Sequence, residues 1–208
     1  MSSNTAAKTP ANTTTKTRMM VQIAMLTAVA EVLMLFDFPL PFAPSFYKID
    51  LSEVPILIGC FAMGPAAGII IEAMKILLNF IISGTVTAGV GELANFAIGC
   101  SMVLPARLIY RYHKTRKNAV LGMAAGTLVM AAIGGLLNAF VLLPAYAALF
   151  GGMDAIIGMG TAVNKNITSV QSFVLLSVVP FNLVKGVIVS LVTFLLYKHV
   201  SRVLIHNA

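Results

Sequence analysis

The chain has 208 residues, 59% of them hydrophobic and 10% charged, with a formal net charge of +7. So little polar material cannot cover a soluble core of this size, which excludes a soluble enzyme or binding module and leaves an all-α, polytopic membrane protein. Nucleic acid is not the partner implied by the basic excess: the lysines and arginines stand at the ends of apolar runs, where cytoplasmic membrane flanks carry them.

Ser2 to Thr17 is polar and Thr-rich, without apolar periodicity, so residues 1–18 read as a disordered cytoplasmic tail ahead of one transmembrane unit over residues 19–208. Met19 to Phe36 opens like a signal peptide and contains Ala28-Val29-Ala30, but the apolar run continues past that point, so a first transmembrane helix is expected and cleavage is not. Phe36 to Asp50 holds three prolines and four phenylalanines, a composition that breaks a helix yet stays apolar, and predicts a loop folded back on the protein. A short second span is expected from Leu51 to Met63, a turn at Gly64-Pro65, and a third span from Ala66 to Ser83. Gly84 to Gly91 forms the next turn, and a fourth span runs from Glu92 to Tyr112. Asn118 to Leu149 exceeds one membrane crossing and contains Gly134-Gly135 and Pro144, which predicts a fifth helix that kinks or ends early. A Gly-rich polar connection over Phe150 to Val170 precedes the sixth span, from about Gln171 to Tyr197. Six crossings place the tail, the Gly64 turn, the loop from Arg111 to Lys117, and Lys198 and Arg202 on one side, so the positive-inside rule puts both termini in the cytoplasm. The Pro/Phe-rich loop, the Gly84 turn and the Phe150 connection then face outward together.

The sixth span carries the sharpest chemical signal. At roughly 1.5 Å per residue, Lys185 lies about twenty ångströms from either end of its helix, too deep for its stem to reach water. Such a charge costs roughly 2.5–3.5 kcal/mol on insertion scales and marks either a site in the bundle interior or a structural pair with a buried carboxylate. Asn182, three residues earlier, shares its helix face. Glu72 and Lys75 have the i, i+3 spacing of a mutually neutralising structural pair. Glu92 and Asn95 share a face beneath the outward turn and suit a cavity wall, the alternative being a Glu92 pair with Lys185. Asn138 adds an amide whose exposure to lipid or unpaired burial is costly. Amides and one ammonium drawn from separate helices suit a neutral heteroaromatic or polyol ligand better than an ion. Phe42, Phe46 and Tyr47 either stack on a ligand ring or seal the loop.

Other signals are weaker. The Gly-rich turn at Gly89 to Ala94 fits a dinucleotide pattern without the βαβ unit that gives the pattern meaning. The sequons at Asn12 and Asn166 and the three histidines at cytoplasmic ends point to nothing specific, and Cys60 and Cys100 read as small buried hydrophobes with no metal-ligand spacing. Gly122/Gly126 and Ala24/Ala28 are small-xxx-small pairs that let helices approach closely, with the first helix the better candidate for a partner-protein face.

Taken together in order, PLPFAPSFYKIDLSEVPILIG (Pro39 to Gly59), GPAAG at Gly64, GTVTAGVGELANF (Gly84 to Phe96), KTRKN (Lys114 to Asn118), PFNLVKG at Pro180 and VSLVTFLLYK ending at Lys198 resemble the riboflavin-specific S components of energy-coupling factor (ECF) transporters. The resemblance covers nearly all of Met19 to Arg202. It implies a six-helix cell-membrane subunit that captures riboflavin from outside with high affinity and is not an enzyme. Riboflavin is then bound as substrate, with no catalytic cofactor and no metal. The partners implied are a transmembrane coupling (T) subunit and two ABC-type ATPases that drive delivery inward. By the same resemblance Asn138, Asn182 and Lys185 hydrogen-bond the flavin, Phe46, Tyr47, Lys48, Glu92 and Asn95 complete the pocket and its lid, and Ala24 and Ala28 face the coupling subunit. The alternatives are the same fold binding flavin mononucleotide (FMN) or another vitamin, an intramembrane hydrolase using Glu92 or Glu72, and a purely structural subunit.

Overall fold

The computed structural model of the chain describes residues 10–85 and 87–205, with side chains within residues 16–85 and 87–197. Its helices are α1 (Pro10–Leu35), α2 (Glu53–Met63), α3 (Pro65–Ser83), α4 (Val90–Tyr112), α5 (Arg116–Leu137), α6 (Leu143–Leu149), α7 (Met153–Val163), α8 (Val170–Phe173) and α9 (Val179–Ile205). Between α1 and α2 a two-stranded antiparallel ribbon pairs β1 (Phe38–Pro39) with β2 (Lys48–Ile49).

The bundle is arranged around α2. Every residue from Glu53 to Phe61 is buried, and a helix without a polar face has to be surrounded. It is enclosed by α1, α3, α4 and α9. At about 1.5 Å per residue its eleven residues fall well short of a hydrocarbon core about 30 Å thick. Five other stretches are long and apolar enough to cross: Lys16–Leu35, Pro65–Ser83, Val90–Tyr112, Arg116–Leu149 and Val170–Tyr197. Their outer faces carry large apolar side chains such as Ile81, Leu128 and Leu175, exposed as a lipid-facing surface requires. The chain is an all-α, multi-pass membrane protein. Gly64, with φ of +108°, makes the reversal from α2 into α3 in a conformation other residues rarely adopt, and Pro65 starts the next helix.

Three expectations are corrected. The tail predicted as disordered up to residue 18 is helical from Pro10 onward, and residues 1–9 lie outside the described residues. Proline is tolerated in a first helical turn, and threonine costs a helix less than about 0.7 kcal/mol per residue, so the apolar helix behind them extends backward. The fifth span does not end early: α5 continues through a π-helical turn over Asn138–Leu142 directly into α6. That wide turn accommodates Pro144, whose ring would otherwise strike the carbonyl one turn before it. The connection from Phe150 to Val170 contains α7, which buries Ile156 and Gly160. A methyl on Gly160 would stand 2.6 Å from the Phe173 ring, so the glycine is what lets α7 lie against α8. The side chains of Lys198, His199 and Arg202 lie outside the described residues.

The apolar loop folds back as expected. Ala43, Tyr47 and Ile49 are buried with Leu143, Ile156, Ile167, Phe173, Val178 and Phe181 in a cluster separate from the larger one around α2. Gly122 and Gly126 serve internal packing, since a methyl on either would press on the main-chain carbonyl of Ala106 or Met102 in α4. Gly126→Ala therefore destabilises the α4–α5 contact by about 1–3 kcal/mol. It should lower the thermal unfolding midpoint in detergent, whereas Ala132→Val on the exposed face of α5 should leave it unchanged.

Candidate functional site

Between the two apolar clusters lies a cavity of about 280 Å³, lined by loop, turn and helix side chains together. The loop supplies Phe46, Tyr47, Lys48 and Asp50; the turn before α4 supplies Thr87; α4 supplies Gly91, Glu92, Asn95 and Ile98. Asn138 and Leu142 come from the π turn after α5, Tyr146 from α6, and Phe181, Asn182 and Lys185 from α9.

Two helix irregularities place the amides. Asn138 opens one π turn, and a second, Val174–Val178, lies just before Asn182 in the continuous run into α9. The two turns touch. Each asparagine anchors itself by donating from Nδ2 to a carbonyl of its own helix, Asn138 to Gly134 at 2.7 Å and Asn182 to Val178 at 2.9 Å. That fixes the amide planes and turns both Oδ1 atoms away from the backbone. Asn138 Oδ1 accepts from the Tyr47 hydroxyl at 2.5 Å, while no described protein donor takes Asn182 Oδ1. Gly134 is required there, because a methyl on it would lie 2.9 Å from Asn182 Nδ2.

Lys185 is not free. Its ammonium lies 3.0 Å from Asp50 Oδ2, with both side chains at or below 10% exposure. Asp50 Oδ1 accepts in turn from the Ser52 amide at 2.8 Å and from the Ser52 hydroxyl, at the entry to α2. Burial alone would raise the Asp50 carboxyl, but Lys185 and Lys75 outweigh it and hold the group well below the usual carboxylate range. Ser52 Oγ also accepts from Lys75 Nζ at 3.3 Å, and Lys75 pairs with Glu53 at 3.0 Å and Glu72 at 2.8 Å. One chain of buried contacts thus runs from the cavity floor to the centre of the bundle.

The far wall is set by Thr87. Its hydroxyl accepts from the Gly91 amide at 3.0 Å and donates to Glu92 Oε2 at 3.2 Å. Glu92 sits in the first turn of α4, where the helix dipole favours a negative charge. Asn95 faces the cavity one turn below. Above them Phe46 lies with its ring centroid 4.7 Å from Tyr47, 5.7 Å from Tyr146 and 6.4 Å from Phe173, and Tyr47 lies 5.3 Å from Phe181. Burial pushes the Tyr47 phenol above its ordinary range, so it remains a donor at neutral pH. At the rim, Lys48 is bridged to Asp37 at 3.0 Å, with both side chains exposed to solvent.

All eight residues expected to bind ligand line this one cavity: Phe46, Tyr47, Lys48, Glu92, Asn95, Asn138, Asn182 and Lys185. Phe42 does not line it. The alternative pairing of Glu92 with Lys185 is not formed, because Asp50 reaches the ammonium first from the start of the enclosed helix. The Glu72–Lys75 pair is present and gains Glu53 as a third member. Sequence reasoning missed Asp50, Thr87, Tyr146 and Phe181. The usable signal was the acid just before an apolar helix that has to be buried, since such a carboxylate needs a cation and Lys185 is within reach of its helix. Ala24 and Ala28 lie on an exposed face of α1 with Met25 and Val32.

The class so defined is a polytopic helical membrane protein with a small-ligand cavity between its helices. The chain belongs to the family of ECF transporter substrate-specific components, whose family model matches residues 18–197. It is 35% identical over 185 residues to the riboflavin transporter RibU of Staphylococcus aureus (strain TCH60), covering 89% of this chain and 91% of that protein. It is 33% identical over 183 residues to the riboflavin transporter FmnP of Bacillus subtilis (strain 168), covering 88% and 91%. A solved S component of a bacterial ECF transporter superposes with a TM-score of 0.73 at 35% identity, over 91% of this chain and 99% of that one. ThiT from Listeria monocytogenes shares the fold, with a TM-score of 0.51 at 20% identity over 88% and 95%.

Because the Asp50 carboxyl is depressed in the folded state, its stabilising contribution is complete above the unfolded value of about 3.9 and declines as the pH falls below it. The stability gap between the wild type and Asp50→Asn should therefore be widest near neutral pH and narrow below about pH 4. Thermal unfolding midpoints of both proteins across that range check this; a gap independent of pH would contradict it.

Proposed function

We propose that this chain is a riboflavin-capturing S component, which takes the vitamin from outside the cell and releases it inward when an energy-coupling module acts on it. The observation that carries the proposal is the convergence of the eight named residues on one cavity beneath the aromatic loop. The riboflavin transporters among its relatives support the choice of ligand. Residues 19–208 form the binding domain, crossing six times with α2 as the short second crossing and both termini in the cytoplasm. The basic loop from Arg111 to Lys117 supports that orientation. The cavity then opens on the outer side.

A flavin ring is planar, carries two carbonyls and several ring nitrogens, and is neutral. The geometry suits each of these properties. Lys185 has three N–H bonds and spends one on Asp50, leaving donors for a carbonyl edge through charge-assisted bonds. Asn182 Oδ1 offers an acceptor at a fixed position, and the Asn95 amide adds a donor from α4. Phe46, Tyr146 and Phe181 present ring faces and edges to a flat apolar body. The Tyr47 hydroxyl holds Asn138 Oδ1, so a ligand donor at that oxygen replaces one hydrogen bond with another. The protein binds and presents the vitamin without altering it. The exposed α1 face with Ala24 and Ala28 is the contact for the transmembrane coupling subunit, which works with two ABC-type ATPases.

Flavin fluorescence provides the test. Titrating riboflavin into the purified protein should quench emission at nanomolar to sub-micromolar concentrations. Asn182→Ala, and Lys185→Met in an Asp50→Asn background that avoids a stranded carboxylate, should each weaken binding by about 1.5–3 kcal/mol relative to its own background. No quenching in the wild type would refute riboflavin as ligand, and unchanged affinity in both variants would remove these residues from the contact set.

A further inference from the structure

A second recess lies on the lipid-facing surface, between α5 and α9. It is a groove of about 490 Å³, running from Val120 to Leu128 on α5 and from Phe194 back to Leu183 on α9. Apart from Thr127 and Ser190 its walls are apolar, and the Thr127 hydroxyl donates to the Met123 carbonyl of its own helix at 2.9 Å. Two close contacts fix the direction of the helices. A methyl on Gly134 would meet the Asn182 amide and one on Gly186 would meet the Thr127 side chain, so positions rise along α9 as they fall along α5. The pair is antiparallel, and Val120 and Phe194 share the groove end nearest Arg116. Leu128 and Leu191 stay more than half exposed along it, so no described part of the chain covers it.

We propose that this groove binds an anionic phospholipid, with one acyl chain laid between α5 and α9 and the phosphate on Arg116 and Lys117. Length, volume and charge each argue for that occupant. From Leu183 to Phe194 the groove is about 16 Å long at roughly 1.5 Å per residue, half of a hydrocarbon core about 30 Å thick, which is the depth of one leaflet. A helix of that length, about 10–12 Å across with its side chains, fills more than twice 490 Å³, so the recess admits an extended chain and not a partner helix. Arg116 and Lys117 stand four and three positions before Val120, on the helix row that continues through Ala124 and Leu128. Both are exposed, and among the described residues no carboxylate lies within salt-bridge distance of either. From Leu93 to Ala208 the sequence holds one acid, Asp154, so the basic run from Arg111 to Lys117 has no sequence neighbour to neutralise it. A phosphodiester supplies that charge at the mouth of the groove its own acyl chain fills. The groove between α3 and α4 gives the contrast: it measures about 450 Å³, and its one charged lining residue is Glu92, which repels an anionic headgroup. The inference is independent of which vitamin the cavity takes.

Native mass spectrometry of the full chain in mild detergent provides the test, with synthetic phosphatidylglycerol and phosphatidylcholine of identical acyl chains added at equal concentration. The wild type should retain phosphatidylglycerol in preference. Arg116→Gln/Lys117→Gln should lower that preference by at least about fivefold, since one basic residue near the membrane surface accounts for about that factor. Ala124→Trp, which fills the groove from an exposed position, should remove it, and Ala73→Trp in the α3–α4 groove should leave it unchanged. The charge variant alters exposed side chains alone and carries the test if Ala124→Trp does not fold. Equal retention of the two lipids by the wild type overturns the inference. So does a preference that survives either variant: survival in Ala124→Trp puts the headgroup on the basic loop without the groove, and survival in the charge variant removes Arg116 and Lys117 from the site. A dimer that Ala124→Trp dissolves, with the lipid adducts unchanged, would give the groove to a second copy of the chain and likewise overturn it.

Discussion

The contact on which the rest depends is the pairing of Lys185 with Asp50. Neither charge is tolerable alone in the interior of an apolar bundle, and breaking such a pair from one side costs about 3–5 kcal/mol. Three elements are therefore tied at one point: the last membrane-long stretch through Lys185, the end of the ribbon through Asp50, and the entry to α2 through Ser52. Ser52 passes the constraint to Lys75, which gathers Glu53 from α2 and Glu72 from α3. The ribbon is short, with two residues on each strand. It would be marginal by itself, and it is held because its last carboxylate must stay with Lys185.

Around that anchor, polar geometry is obtained from helices without breaking them. The two π turns re-aim Asn138 and the run before Asn182 while the helices continue through the membrane. Glycine supplies the complementary device. Gly134 leaves room for the Asn182 amide, and Gly122 and Gly126 bring α5 onto the backbone of α4, which holds Asn95 opposite the two asparagines. Apolar packing thus fixes the distances across the cavity, and self-anchored amides fix the directions.

Much of this was legible in the sequence. An ammonium at least twelve residues from either end of a span has no bland explanation other than a buried carboxylate, and amides on the same depth of other helices point to one cavity. What failed to show was pairing. Glu92 was the carboxylate closest to an expected pocket wall, whereas Asp50 read as a loop residue because the prolines before it end any helix. Contact across 135 positions of chain cannot be inferred from helical periodicity. The helix α7 was hidden by its glycines and its single acid, which look like a connection until Phe173 is seen lying against Gly160. The early start of α1 was hidden by threonines, whose weak helix propensity is overridden by the apolar helix that follows.

The central claim is that this buried, charge-balanced cavity holds a neutral flavin. The most direct measurement is the visible absorption spectrum of the protein purified in detergent from cells grown with riboflavin. The account predicts a yellow protein with one flavin per chain, identified on release as riboflavin and retained through gel filtration. A colourless protein that also fails to take up riboflavin when it is added back would contradict it.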